Sequence, residues 1–227
     1  IQKKIKRVVI STLDPNKQVN GKGVRQLRKA GIEVDTGVLE EEGKVLNKFY
    51  LKFASEKLPY ITLKIAQSID GNISEDKNKQ TWLTGKESVK YVHQLRNEYD
   101  AVLVGAGTIK SDDPQLNVRE IKGRNPIRII IDGKLSIPLK SKILNSTDPE
   151  KTWIFTSYSS DEKKVKRIVE RGMNIFQVSG SAQNLLDIKK ILKVIAEHKI
   201  TSLLVEGGAG IFTQFLEKDL FDEIIIL

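Results

Sequence analysis

Cysteine is absent from the 227-residue chain. Its absence excludes a disulfide framework, a zinc–thiolate site and a cysteine nucleophile, and it fits the expected cytoplasmic location. No apolar run approaches the roughly 20 residues that a membrane helix needs, so no membrane partner is expected. The opening Ile1-Gln2-Lys3-Lys4 has neither an initiator methionine nor an apolar signal segment, which reads as an internal cut in a longer protein. Internal repeats and low-complexity tracts are lacking as well. So is any basic run interleaved with aromatics. The net charge is +9, but lysines such as Lys86, Lys90, Lys163, Lys164, Lys189 and Lys190 are dispersed. They read as solvated helix faces rather than a nucleic-acid surface, while the overall charge suits a phosphorylated small molecule.

Hydrophobic residues at 39 % and charged residues at 30 % are the balance of a globular protein. Two regions separate. Residues 1–57 read as strand, helix, strand, helix. Arg7-Val8-Val9-Ile10 forms the first strand, before a turn at Asp14-Pro15-Asn16. Val24, Leu27 and Ala30 mark a helix that Gly31 stops, Ile32-Glu33-Val34 a second strand, and Leu46, Phe49, Tyr50 and Phe53 a helix over 40–56. From Tyr60 onward, strands are expected at 60–67, 101–105, 127–132, 152–156, 174–178, 202–206 and 222–227, with helices at 85–98, 161–171, 184–198 and 209–218. Apolar strands alternating with helices imply a largely parallel sheet covered on both faces. The terminal Ile224-Ile225-Ile226-Leu227 falls in mid-strand, so truncation is expected there too.

Five stretches carry residues with chemical potential. In the strand from Tyr60, alternation sets Thr62, Lys64, Ala66 and Ser68 on one face. Lys64 there is either beside ligand space or an edge lysine reaching solvent. Gln80-Thr81-Trp82 offers a ring that either stacks on a ligand or packs in the core. Arg96 lies beside the apolar stripe Val89, Val92, Leu95 and Tyr99, as an anion clamp or as a cation favoured at a helix C-terminus. Val104-Gly105-Ala106-Gly107-Thr108 reads as a strand entering a loop of small residues, with Asp112, Leu116 and Arg119 beyond.

The fifth stretch is Val205-Glu206-Gly207-Gly208-Ala209-Gly210, a strand leading through glycines into a helix. Such a junction is either a phosphate cradle or a tight turn. Strict Gly-x-Gly-x-x-Gly spacing is lacking, and the chain nearly ends where a dinucleotide fold wants its next acidic residue, so an ordinary Rossmann domain is not expected. Glu206, at the carboxyl end of a strand, is placed to accept from a sugar hydroxyl. The two histidines, His93 and His198, read as structural, His198 as a favourable helix-end group.

Taken in order, Leu63 to Gly71, Trp82-Leu83-Thr84, Val104 to Pro114, Arg128 to Asp132 and Val205 to Gly208 resemble the bacterial bifunctional riboflavin-biosynthesis deaminase-reductases. The resemblance covers 60–227 as the reductase domain. Residues 1–57, through Asp14-Pro15-Asn16 and Asn20-Gly21-Lys22-Gly23, resemble the end of the cytidine-deaminase-like domain. The zinc motifs of that deaminase are missing, so deamination is not expected of this chain, nor any metal.

The resemblance implies a dihydrofolate-reductase-like three-layer α/β sandwich with a mostly parallel central sheet, preceded by a small α/β remnant. It implies NADPH-dependent reduction of the ribosyl group of 5-amino-6-(5-phosphoribosylamino)uracil to ribityl, and a homo-oligomer. By motif position it makes Ala66, Trp82, Thr108, Asp112, Gly208, Ala209, Gly210, Ile211, Phe212, Thr213 and Gln214 cofactor contacts. It makes Gln80, Arg96, Leu116, Arg119 and Glu206 substrate contacts, with Arg96 and Arg119 on the phosphate, and Lys64 the group that polarises or protonates near the ribose. Gln80 and Gly133 stand where the family often has serine. The alternatives are the related reductase of the non-deaminated diaminopyrimidine ribosylamine phosphate, and a nucleotide-binding module without activity.

Overall fold

The computed structural model describes residues 1, 3–16, 19, 21–72, 85–180 and 185–227. It divides into two compact units, Ile1–Tyr60 and Ile61–Leu227. In the first, strands β1 (Arg7–Ile10) and β2 (Glu33–Thr36) pair in parallel, and helices α1 (Lys22–Lys29), α2 (Glu40–Leu46) and α3 (Lys48–Glu56) complete it. The single helix expected over 40–56 is therefore broken. At the break, the Asn47 side chain donates back to the Gly43 carbonyl at 2.8 Å, a local bond that competes with continuing the helix.

The second unit is a seven-stranded parallel sheet. Its strands are β3 (Tyr60–Ile65), β4 (Ala101–Gly105), β5 (Ile127–Ile131), β6 (Thr152–Thr156), β7 (Asn174–Gln177), β8 (Ser202–Gly207) and β9 (Glu223–Ile226). They lie in the order β7-β6-β5-β4-β8-β3-β9. Helices α4 (Lys86–Glu98), α5 (Ala106–Asp112), α6 (Glu162–Val169), α7 (Ile188–Glu197) and α8 (Ala209–Glu217) connect them. All five residues of β4 and of β6 are buried. Val102, Val104, Ile130 and Ile154 join Ile109 and Ile168 in one cluster, and the alternating Leu103 and Ile129 are equally inaccessible. Both faces are thus covered, which is why these strands read as unbroken apolar runs.

α7 buries Ile188, Ile191, Leu192 and Ile195, a stripe at helical spacing. Asp187 caps it by accepting the Lys189 N–H at 3.0 Å, so the helix begins later than the sequence suggests. A second departure matters for the site. Residues 106–112 are not a loop but the short helix α5, anchored by buried Ile109 and closed by Asp113 in the left-handed region at φ 41°. The pattern is too short for periodicity to show.

The strand order has a turning point. From β4 the chain adds β5, β6 and β7 on one side, and β8 then returns to the other side of β4. Loops leaving such neighbours diverge to opposite faces and leave a crevice beyond the carboxyl ends of the strands. The segments following β4 and β8 both begin there.

Candidate active site

β8 carries an extra residue at its carboxyl end. Leu103 pairs with Val205, but Val104 pairs with Gly207, so Glu206 is the residue left between. A bulge of this kind re-aims a side chain that alternation would have sent elsewhere. The Glu206 carboxylate, 5 % exposed, meets Arg96 of α4. Arg96 Nε donates to Oε1 at 2.6 Å and a terminal nitrogen to Oε2 at 2.7 Å, a two-pronged pair. The other terminal nitrogen donates to the Asn117 carbonyl at 3.2 Å. Lys64 of β3 brings Nζ to 3.8 Å from Oε2.

Burial alone would push the Glu206 carboxyl up. The charges of Arg96 and Lys64 and the Arg96 hydrogen bonds outweigh it and hold the group down at about 2. Burial likewise opposes charge on Arg96, and Glu206 more than compensates, so its guanidinium is raised. One buried carboxylate therefore faces two largely buried cations. Arg96 is thus more than an ordinary helix-end cation, since it is bound to Glu206 and to the Asn117 carbonyl. Lys64 is largely buried, not an edge lysine in solvent.

The glycine junction lies beside this cluster in sequence and is open. Gly207 and Gly208 have φ of 156° and 89°, and Gly208 precedes the first residue of α8. The Gly208 carbonyl accepts from Ile211 and Phe212. Ala209 and Gly210, exposed in the first turn, have no acceptor inside the helix for their N–H groups. Thr108 of α5 reaches the same place, its Oγ1 3.4 Å from where a Cβ on Gly208 would stand. A Cβ on Gly107 or Gly210 would meet nothing within 4 Å, so space adjoins both. Exposed backbone donors, a helix dipole, an adjacent hydroxyl and free volume are the features that can hold an anion. Asp112 ends α5 half-buried.

Other sequence candidates divide. Ile211, Phe212 and Leu116 are buried at 7, 8 and 2 % exposure, so their side chains serve the core. The Ile211 and Phe212 N–H groups donate to the Gly208 carbonyl. Thr213 and Gln214 turn back onto the carbonyls of Ala209 and Gly210. Ala66 is half-buried just past β3. Arg119 is exposed on the segment after α5, with one terminal nitrogen donating to Asn117 Oδ1 at 3.0 Å. Gln80 and Trp82 lie outside the described residues. Sequence reasoning missed Asn117, which holds both Arg96 and Arg119. It also missed His93, buried on α4 with Nδ1 accepting the Arg119 N–H at 3.2 Å. Its one available signal was its place three residues before Arg96, on the same side of the helix.

The chain thus builds an open parallel α/β sheet with a glycine junction and a buried, doubly compensated carboxylate at its turning point. Residues 59–227 match the RibD C-terminal domain, and the chain belongs to that family. It is 43 % identical over its whole length to the riboflavin biosynthesis protein RibD of Aquifex aeolicus, covering 62 % of it. Among solved structures, form 1 of Acinetobacter baumannii RibD superposes with a TM-score of 0.87 at 32 % identity, over 99 % of this chain and 61 % of that one. The Thermotoga maritima diaminohydroxyphosphoribosylaminopyrimidine deaminase/5-amino-6-(5-phosphoribosylamino)uracil reductase gives 0.79 at 38 % identity, over 96 % and 58 %. The chain thus spans about three fifths of the length of these relatives. The fold is the dihydrofolate-reductase-like one of this family. No described helix is long and apolar enough to cross a membrane.

Proposed function

We propose that residues 60–227 reduce the ribosyl group of 5-amino-6-(5-phosphoribosylamino)uracil to ribityl with NADPH, in the cytoplasm. Residues 1–57 are then the end of a deaminase domain, as in the two-activity name of the Thermotoga relative. The observation that carries this reading is the pairing of two unlike features at one turning point: an open anion cradle at Gly208–Gly210, and the buried Glu206 with Arg96 and Lys64.

The residues suit a dinucleotide phosphate. Gly208 holds a positive φ that other residues resist, and the volume beside Gly107 and Gly210 lets a ligand approach the backbone. Bound NADPH supplies hydride to C1′ of the substrate. Lys64 is the residue to give a proton to the ring oxygen as the C1′–O4′ bond opens, since its ammonium is held against Glu206. Glu206 accepts from a ribose hydroxyl while Arg96 keeps it ionised. Arg119, exposed and uncommitted to any buried carboxylate, takes the substrate phosphate.

The test is NADPH oxidation by the full-length protein, followed by absorbance, with the phosphoribosylaminouracil and with its non-deaminated diaminopyrimidine counterpart. Turnover of the former is expected. Turnover of the latter alone, or of neither, refutes the assignment.

A further inference from the structure

His93 belongs to no motif that drew the sequence analysis. It is 1 % exposed, and it shares one turn of α4 with Arg96. Both reach the same short stretch of chain. Arg96 donates to the Asn117 carbonyl at 3.2 Å, and the Arg119 N–H donates to His93 Nδ1 at 3.2 Å. Between these points, the Val118 N–H donates to Asn125 Oδ1 at 2.9 Å. This stretch is neither helix nor strand. It follows Leu116, which sits at a φ of 52° that its side chain disfavours. Side chains, not a ladder, therefore hold it in place.

Accepting an N–H requires a lone pair on Nδ1, so the ring carries its proton on Nε2. Burial, then the charges of Arg96 and Arg119, push the imidazole below its ordinary value against Glu120 and Glu206. Among the described residues, those four groups, from α4, the 117–120 stretch and β8, are the charges that act on it.

We propose that His93 is a positioning residue for the substrate phosphate: its Nδ1 fixes the Arg119 backbone, so that the Arg119 side chain is presented to the phosphate alongside the Glu206–Arg96 pair. This rests on the reading of Arg119 given above. The same turn of α4 then sets both the carboxylate for the ribose and the cation for the phosphate, which fixes the span between them. Without the acceptor, a partly buried N–H is left unmatched and the stretch is free to move.

The test uses the full-length protein with His93→Phe, which keeps a ring and removes the acceptor, and His93→Asn, whose Oδ1 restores an acceptor near the position of Nδ1. The phosphoribosylaminouracil is varied at saturating NADPH, and amide exchange at Arg119 is followed by NMR. His93→Phe should raise the substrate KM about tenfold, the equivalent of about 1.4 kcal/mol, with kcat and the NADPH KM nearly unchanged. Arg119 exchange should accelerate, and His93→Asn should recover much of both effects. A wild-type substrate KM and a protected Arg119 amide in His93→Phe overturn the proposal, as does equal impairment of both variants toward both reactants. Should His93→Phe not fold, imidazole nitrogen shifts of the wild type decide: an unprotonated Nδ1 supports the assignment and a protonated one overturns it. Lack of turnover by the wild type would count against the proposed reaction, while exchange and nitrogen shifts would still report on His93.

Discussion

Replacing Glu206 with glutamine keeps the shape of the side chain and removes its charge, leaving Arg96 and Lys64 without their buried counter-ion. The carboxyl falls from an ordinary 4.5 to about 2 in the folded protein. At about 1.36 kcal/mol per tenfold change, this corresponds to about 3 kcal/mol of preference for the ionised form on folding. Loss of one partner of a buried pair, about 3–5 kcal/mol, gives the same scale. Because the folded value is the depressed one, the contribution is complete above 4.5 and disappears as the pH falls from there toward about 2. The assay is urea denaturation followed by tryptophan fluorescence, since Trp82 and Trp153 both fall within residues 61–227. At neutral pH, Glu206→Gln should lower stability by about 3 kcal/mol and the melting temperature by roughly 6–12 °C, at about 2–4 °C per kcal/mol for a unit of this size. In acid, the wild type should lose its advantage and the two curves should converge. A neutral-pH gap under about 1 kcal/mol, or one that does not change down to the acid limit, would show that the pair is not what holds Glu206 ionised.

Lys64→Ala should lower kcat by about 100-fold, as loss of a general acid does, while NADPH affinity measured by fluorescence titration stays near wild type; near-normal turnover removes Lys64 from the reaction. Arg119→Ala should raise the substrate KM roughly 10- to 100-fold, the loss of a charged hydrogen bond; an unchanged KM in steady-state kinetics excludes Arg119 from the phosphate site. Gly208→Ala places a Cβ 3.4 Å from Thr108 Oγ1 at a φ of 89°. A strain of roughly 1–3 kcal/mol should appear in the same titration as weaker NADPH binding, and wild-type affinity would move the cofactor away from this turn.

The strands were legible because burial on both sheet faces writes itself as continuous apolar sequence, as in Ala101–Gly105. Glu206 was legible as a carboxylate at a strand end, and the glycines after it as a bend. Pairing was not. Arg96 and Glu206 are 110 residues apart, and no local pattern announces a contact made by a strand crossing. The bulge is a single added residue with no composition of its own. α5 hid because Gly105, Ala106 and Gly107 favour a loop locally, and buried Ile109 fixes the helix only through tertiary packing. His93 reads as structural in the sequence because a lone histidine on a helix has many ordinary roles, and its partner, the Arg119 N–H, is a backbone group that no sequence displays.

The extra residue in β8 works as a phase shifter. Side chains along a strand reverse direction at each step, so one added position inverts everything after it. It is this inversion that brings Gly207 opposite Val104 and sets Gly208 beside Thr108. Substitution and deletion at position 206 are consequently different perturbations. The first changes a charge and leaves the two loops in step. The second would restore the regular pairing with Gly207 still opposite Val104, so it would remove the carboxylate and the bulge together while the glycines keep their register. The spacing of the carboxylate and the glycines is thus set within one strand.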